Sequence, residues 1–269
     1  MKAQLEFNEV SVAYRSRGQE TLALSPTSLS VEKGDFLAIV GPSGCGKSTL
    51  LKLVCELLPP SSGSVDFADE DNGGKPLRVG MAFQAANLLP WLSVRQNVML
   101  PLKIVSPFKE DYGRKKRGEY RDRVDRLLEQ VGLLAFADKQ PWELSGGMMQ
   151  RANLCRALVH DPDLLLLDEP FGALDQFTRE ELWSTLQDLW LSRKPTVLLV
   201  THDLQESAYL ANRICIMSAR PGCILEERRV DFTRPRSIET TYEAEFVALV
   251  RSLRSRISDT KKATEETSA

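Results

Sequence analysis

Gly41-Pro42-Ser43-Gly44-Cys45-Gly46-Lys47-Ser48-Thr49 is the stretch whose reading decides the fold. It follows Phe36 to Val40, a short apolar run of the kind a strand shows when both its faces are covered. It leads into a segment of helical spacing, Lys47 to about Leu58, which Pro59-Pro60 stops. Strand, turn and helix with the spacing G-x-x-x-x-G-K-S make a phosphate cradle. The glycines let the backbone wrap closely enough for its N–H groups to point at phosphate oxygens. The positive end of the following helix adds to that field. Lys47 brings a mobile cation for β and γ phosphates, and Ser48 a hydroxyl for Mg²⁺. Chance supplies this pattern to a chain of such length roughly once in a hundred, before the strand-to-helix context is counted. Nucleotide binding therefore outweighs a merely structural glycine turn.

Such a site needs an acidic residue at the end of another buried strand. Leu164-Leu165-Leu166-Leu167-Asp168-Glu169-Pro170 has that form. Asp168 can hold the magnesium shell, and Glu169 lies where a carboxylate could orient an attacking water. Leu144-Ser145-Gly146-Gly147-Met148-Met149-Gln150-Arg151 opens a further helical stretch, so its glycines and serine form a second anion site by the same dipole argument. Two anion sites far apart in one chain mean either two ligands or one ligand shared between two chains.

Around these motifs the pattern is α/β. Leu5, Phe7, Val10 and Val12 mark a half-buried strand, with turn residues around Arg15 to Glu20 before Leu29 to Val31. Val65 to Phe67 and Arg78 to Phe83 read as strands split by a glycine-rich turn at Asn72 to Lys75. From Gln84 to about His160 helices and loops take over. There the basic run Arg114 to Arg117 is expected as a solvated loop before an amphipathic helix with Val124, Leu127, Leu128 and Val131. Strand-like runs return at Leu164 to Leu167, Val197 to Thr201 and Ile214 to Met217, which implies a mainly parallel sheet flanked by helices. Tyr242 to Ile257 has helical spacing, and the polar end from Asp259 is expected to lack structure.

Composition narrows the class. The chain has 269 residues, 42% hydrophobic and 27% charged, and a formal net charge of −2, which gives no overall basic field for nucleic acid. Its longest apolar runs fall short of a membrane span, and no signal-peptide pattern is present, so membrane contact is expected only through another chain. Five scattered cysteines without a C-x-x-C pair suit a reducing compartment, and two histidines make a His-based metal site improbable. Cys45, at a helix N-terminus beside Lys47, is expected to carry a reactive thiol.

With these motifs in this order, the sequence resembles the ATP-binding subunits of ABC transporters along nearly its whole length. Leu144, Ser145, Gly146, Gly147 and Met148 resemble the family's signature loop, with Met148 in place of the usual glutamine. The resemblance implies that this loop acts in trans on the γ-phosphate held by a partner subunit, in a head-to-tail dimer with two shared sites. It implies that Tyr14 stacks on adenine, and that Gly41 to Thr49 with Asp168 bind ATP. Gln84 would link the magnesium shell of Ser48 and Asp168 to the permease contact, while Ala173-Leu174-Asp175 would cross the dimer interface. Glu169 and His202 would serve hydrolysis, with His202 at the γ-phosphate. His160 has no role in the pattern and reads as a packing or surface residue.

The fold so implied is an α/β P-loop NTPase (RecA-like) core with an antiparallel β subdomain and a helical signature subdomain. Its parts are residues 1–83 and 162–235 for the core, 84–161 for the helical part, and 236–269 for a C-terminal helix and tail. Asn87-Leu88-Leu89-Pro90-Trp91, Val94-Arg95-Gln96-Asn97-Val98, Glu169 to Asp175 and Ser218-Ala219-Arg220-Pro221-Gly222 are similar to the nitrate, sulfonate and taurine importer group. That implies a homodimer, or a pair with a sister subunit, on the cytoplasmic face of the inner membrane. A separate permease, a solute-binding protein, ATP and Mg²⁺ complete the implied system. An exporter or lipid-transport ATPase shares the same core and is the alternative.

Overall fold

The computed structural model describes residues 3–16, 19–67 and 77–268, and the turn expected at Asn72 to Lys75 lies outside them. The chain divides into two compact units, residues 1–76 with 196–269, and residues 77–195.

In the first unit, β1 (Ala3–Ser16) pairs antiparallel with β2 (Gln19–Glu32) on one side and β4 (Ser62–Phe67) on the other. Leu5, Phe7, Val10 and Val12 are all buried. Their spacing breaks strict alternation between Phe7 and Val10, and the ladder shifts register at the same place, with Glu9 at φ 49°. A bulge there returns the later side chains to the buried face.

The second sheet of this unit centres on β3 (Phe36–Val40), whose five residues are all buried. It runs parallel to β7 (Thr196–Thr201) and to β8 (Arg213–Met217), and β9 (Ile224–Arg229) closes the edge antiparallel to β8. β9 escapes a sequence reading because Glu226, Glu227, Arg228 and Arg229 mask its alternation. Helix α1 (Lys47–Val54) is shorter than expected. Glu56 turns left-handed at φ 55°, and Leu57 N–H donates to the Lys52 carbonyl at 2.9 Å. That six-to-one closure ends the helix before the prolines are reached. The C-terminal helix (Ala244–Ser268) includes the polar end from Asp259, where Lys, Ala and Glu are all good helix formers.

In the second unit, β5 (Val79–Ala82) and β6 (Leu164–Asp168) pair in parallel. That pairing keeps both strands with the helical segment, so the contact boundaries differ from those drawn at 83/84 and 161/162. The helices are α2 (Val94–Ile104), α3 (Phe108–Lys115), α4 (Glu119–Gln130), α5 (Gly146–Leu158) and α6 (Gln176–Arg193). A capping box of Ser93 and Gln96 starts α2. The basic run straddles the end of α3: Arg114 and Lys115 close the helix, and Lys116 and Arg117 form the turn before α4. Arg114 pairs with Asp111, and Lys115 with Glu119 at 2.9 Å, so helical ion pairs take up part of its charge.

Candidate nucleotide site and signature helix

Two groups of the expected site residues form, one in each unit. In the first, β3 delivers the chain to Gly41, and Gly46 at φ 102° turns it into α1. Lys47 is buried, and its Nζ donates to the carbonyls of Gly41 and Pro42, both at 2.9 Å. The ammonium is thus held across the mouth of the cradle by weak, exchangeable acceptors that phosphate oxygens can replace. The hydroxyls of Tyr14 and Thr49 lie 3.4 Å apart, and the Tyr14 side chain remains partly exposed beside α1. A partly exposed aromatic side chain next to a phosphate cradle suits base stacking.

β7 stands next to β3 in register, Val40 opposite Thr201, so His202 emerges beside the strand end that feeds the cradle. His202 is exposed while its flanks are pinned. Thr201 Oγ1 donates to the buried Glu206 carboxylate at 2.8 Å and accepts from Asp203 N–H at 2.9 Å. Asp203 caps the following helix, α7 (Leu204–Leu210), through the N–H groups of Gln205 and Glu206. The importer-like run ending in Gly222 also reaches the cradle. Gly222 bonds through its N–H to the Ala23 carbonyl at 3.0 Å, and a Cβ added to it would fall 1.8 Å from the Cys45 carbonyl oxygen. Cys45 is fully buried, so the reactive thiol expected from its position is shielded.

In the second unit, Ala82 lies opposite Leu167, which sets Phe83-Gln84 alongside Asp168-Glu169. Gln84 Nε2 and Glu169 Oε2 lie 3.5 and 3.8 Å from the point a Cβ at Gly172 would occupy, so both flank the same glycine. Glu169 holds φ 46°, a left-handed backbone unusual for a side chain of its size. Strain of this kind concentrates at functional positions. The signature loop starts α5: Ser145 is its N-cap, accepting from Met148 N–H at 3.3 Å. Gly147 lets α5 pack close to Thr178: a Cβ there would fall 2.5 Å from Thr178 Cγ2, so any side chain requires Thr178 to shift. Leu174 approaches Gly146, and Asp175 caps α6 by accepting from Thr178 N–H at 3.1 Å. That bond, ahead of the Thr178 hydroxyl, holds the Asp175 carboxyl below the usual range.

Sequence reading passed over the polar face of α5. Gln150 and Asn153 are buried, and with Arg156 they recur at every third position of α5, whose remaining residues apart from Arg151 are apolar or glycine. That recurrence was the available signal. Gln150 Nε2 donates to the carbonyls of Phe83 (3.3 Å), Gln84 (3.2 Å) and Pro170. Asn153 reaches Phe83 at 3.1 Å, and Arg156 the carbonyls of Ala86 and Asn87 at 2.7 and 2.9 Å. His160 is buried with Nε2 3.1 Å from the Val79 carbonyl, and burial lowers its pKa. It is a packing residue, as expected.

Ser48, Gln84 and Asp168 offer hydroxyl, amide and carboxylate oxygens. Hard oxygen donors of this kind fit Mg²⁺, which favours one or two protein ligands together with phosphates.

A family model described as ABC transporter matches residues 24–172, and the chain belongs to that family. It is an ATPase of the nucleotide-binding cassette kind. A Bacillus licheniformis protein named aliphatic sulfonates import ATP-binding protein SsuB is 43% identical over 237 residues, 88% of each chain. A Burkholderia pseudomallei protein of the same name is 45% identical over 87% of this chain and 65% of its own. The dimeric structure of MJ0796, described as a bacterial ABC transporter cassette, superposes with a TM-score of 0.68 at 30% identity, over 85% of this chain and all of that one. A second structure of MJ0796, in a post-hydrolysis state with ADP and Pi, gives 0.69 at 29% identity, with the same coverage. Among the described residues no helix is long and apolar enough to cross a membrane.

Proposed function

We propose that this ATPase powers uptake of a small organic sulfonate or a related anion through a separate permease, fed by a solute-binding protein. The observation that carries this reading is 43% identity across 88% of a chain named for aliphatic sulfonate import. The resemblance of the run at 218–222 to the importer group points the same way.

In this reading two subunits join head to tail on the cytoplasmic face of the membrane, each contributing to both ATP sites. Tyr14 stacks on the adenine. The amides of Gly41 to Thr49 hold the phosphates, and Lys47 leaves its two loop carbonyls for the β and γ oxygens. Ser48, Gln84 and Asp168 would hold Mg²⁺, which neutralises phosphate charge when bound. Ser145, Gly146 and Gly147 present the start of α5 to the γ-phosphate of the opposite site, while Met148 forgoes the polar contacts of a glutamine. Ala173 to Asp175 line the subunit contact. Glu169 orients the attacking water, and His202 supports the γ-phosphate as negative charge develops.

The test is to purify tagged chain from mildly solubilised membranes of its source. Copurification of one polytopic permease, with ATP turnover stimulated by a sulfonate-loaded binding protein, is expected. Recovery of an exporter-type membrane protein, or stimulation by loaded binding proteins for other solutes only, would refute the proposal.

A further inference from the structure

α5 carries the signature loop at its first turn and Gln150 one turn later, and Gln150 faces inward. Its amide nitrogen is shared among three backbone carbonyls from two loops: Phe83 and Gln84 after β5, and Pro170 after β6. These are the loops that carry Gln84 and Glu169, which flank Gly172 together. Asn153 extends the connection, donating to Phe83 O and, at 3.4 Å, to Gln150 Oε1. Arg156 Nη2 donates in turn to Asn153 Oδ1 at 2.9 Å. Three polar side chains on one helix face therefore form a continuous ladder along 83–87, and Gln150 alone among them reaches the loop after Glu169.

A buried amide with every donor bound to backbone cannot follow one loop and release the other without loss. A displacement at the start of α5 therefore draws both loops with it, and a displacement of either loop moves the signature. We infer that Gln150 is a positioning residue that locks the Gln84 and Glu169 segments to the signature helix, and that it transmits the state of one shared ATP site to the other. The second half of that statement rests on the head-to-tail dimer proposed above. There the signature loop serves one site while Gln84 and Glu169 of the same subunit serve the other.

The test uses the full-length chain with Gln150→Leu, which keeps bulk and removes both polar ends, and Gln150→Glu, which keeps shape and acceptors but loses the amide donors. Three quantities are read for each: ATP affinity at dilution too great for dimers, kcat, and the Hill coefficient for ATP at dimer-forming concentration. Melting temperature is followed in parallel. The expected result is affinity within about twofold of the unaltered chain, kcat reduced about tenfold, and a Hill coefficient falling to about 1. Two results overturn the inference. In one, kcat and the Hill coefficient match the unaltered chain. In the other, affinity, kcat and melting temperature all fall together in both variants, which marks a general structural role. If the unaltered chain itself shows no ATP-dependent dimer, the shared-site reading fails and the transmission claim falls with it. If that dimer forms and only the variants behave as wild type, this inference alone is wrong.

Discussion

Gly222→Ala adds one methyl group where the structure has no room for it. The new carbon would sit 1.8 Å from the Cys45 carbonyl oxygen and 2.8 Å from Met217 Cε, and real contacts of this type stay beyond 3.0 Å. Met217 can swing aside, but the Cys45 peptide is part of the phosphate cradle. Relief therefore requires the cradle or the 218–223 turn to move by about 1 Å or more, and overpacking of this kind costs about 1–3 kcal/mol. For a chain of this size that corresponds to a fall of roughly 2–6 °C in melting temperature. Because the displaced peptide belongs to the loop proposed to hold the phosphates, nucleotide affinity should fall as well. Calorimetry and titration with a fluorescent ATP analogue read the two effects. Gly44→Ala is the control: it also meets the cradle, at φ 76°, but with no atom within 4 Å of the added carbon. Its cost is backbone strain alone, about 1–2 kcal/mol. A Gly222→Ala protein that melts and binds ATP as the unaltered chain does would refute the packing argument.

Glu169→Gln should keep ATP binding, lose most turnover and accumulate a nucleotide-bound dimer visible by gel filtration; undiminished hydrolysis would remove Glu169 as the group that orients water. Tyr14→Ala should weaken ATP binding about tenfold, with kcat little changed at saturation, since stacking on a base contributes about 1–3 kcal/mol. His160 is buried with a lowered pKa, so the folded chain binds its proton less readily than the unfolded one. The stability this contributes is complete above pH about 6.5 and is lost as pH falls through the lower folded value. Denaturant midpoints from pH 7.5 to 5 should therefore fall more steeply for the native chain than for His160→Gln, and parallel slopes would contradict it.

Much of the fold was legible because its strands are short, fully buried and apolar, as at Phe36 to Val40, Leu164 to Leu167 and Val197 to Thr201. Glycine and proline marked their ends. β9 was not legible because consecutive charged residues, Glu226 to Arg229, occupy both its faces, and the early stop of α1 depends on a left-handed turn at Glu56 that no residue type announces. The expected site residues were read from local motifs, each complete within a few positions. What stayed hidden depends on contacts far apart in sequence. Gln150 to Phe83 spans 67 positions, and Gly222 to Cys45 joins the end of one sheet strand to the cradle of another. The shielding of the Cys45 thiol is of the same kind, since a local reading sees the neighbouring lysine but not the packing around it.

The left-handed backbone at Glu169 sets thermal tolerance against turnover at a single codon. A glycine or asparagine there would relax the main chain and raise the melting point modestly. It would also delete the proposed hydrolytic carboxylate. A library selected only for survival on heating should therefore enrich dead enzymes at position 169, whereas one selected for transport should never leave glutamate.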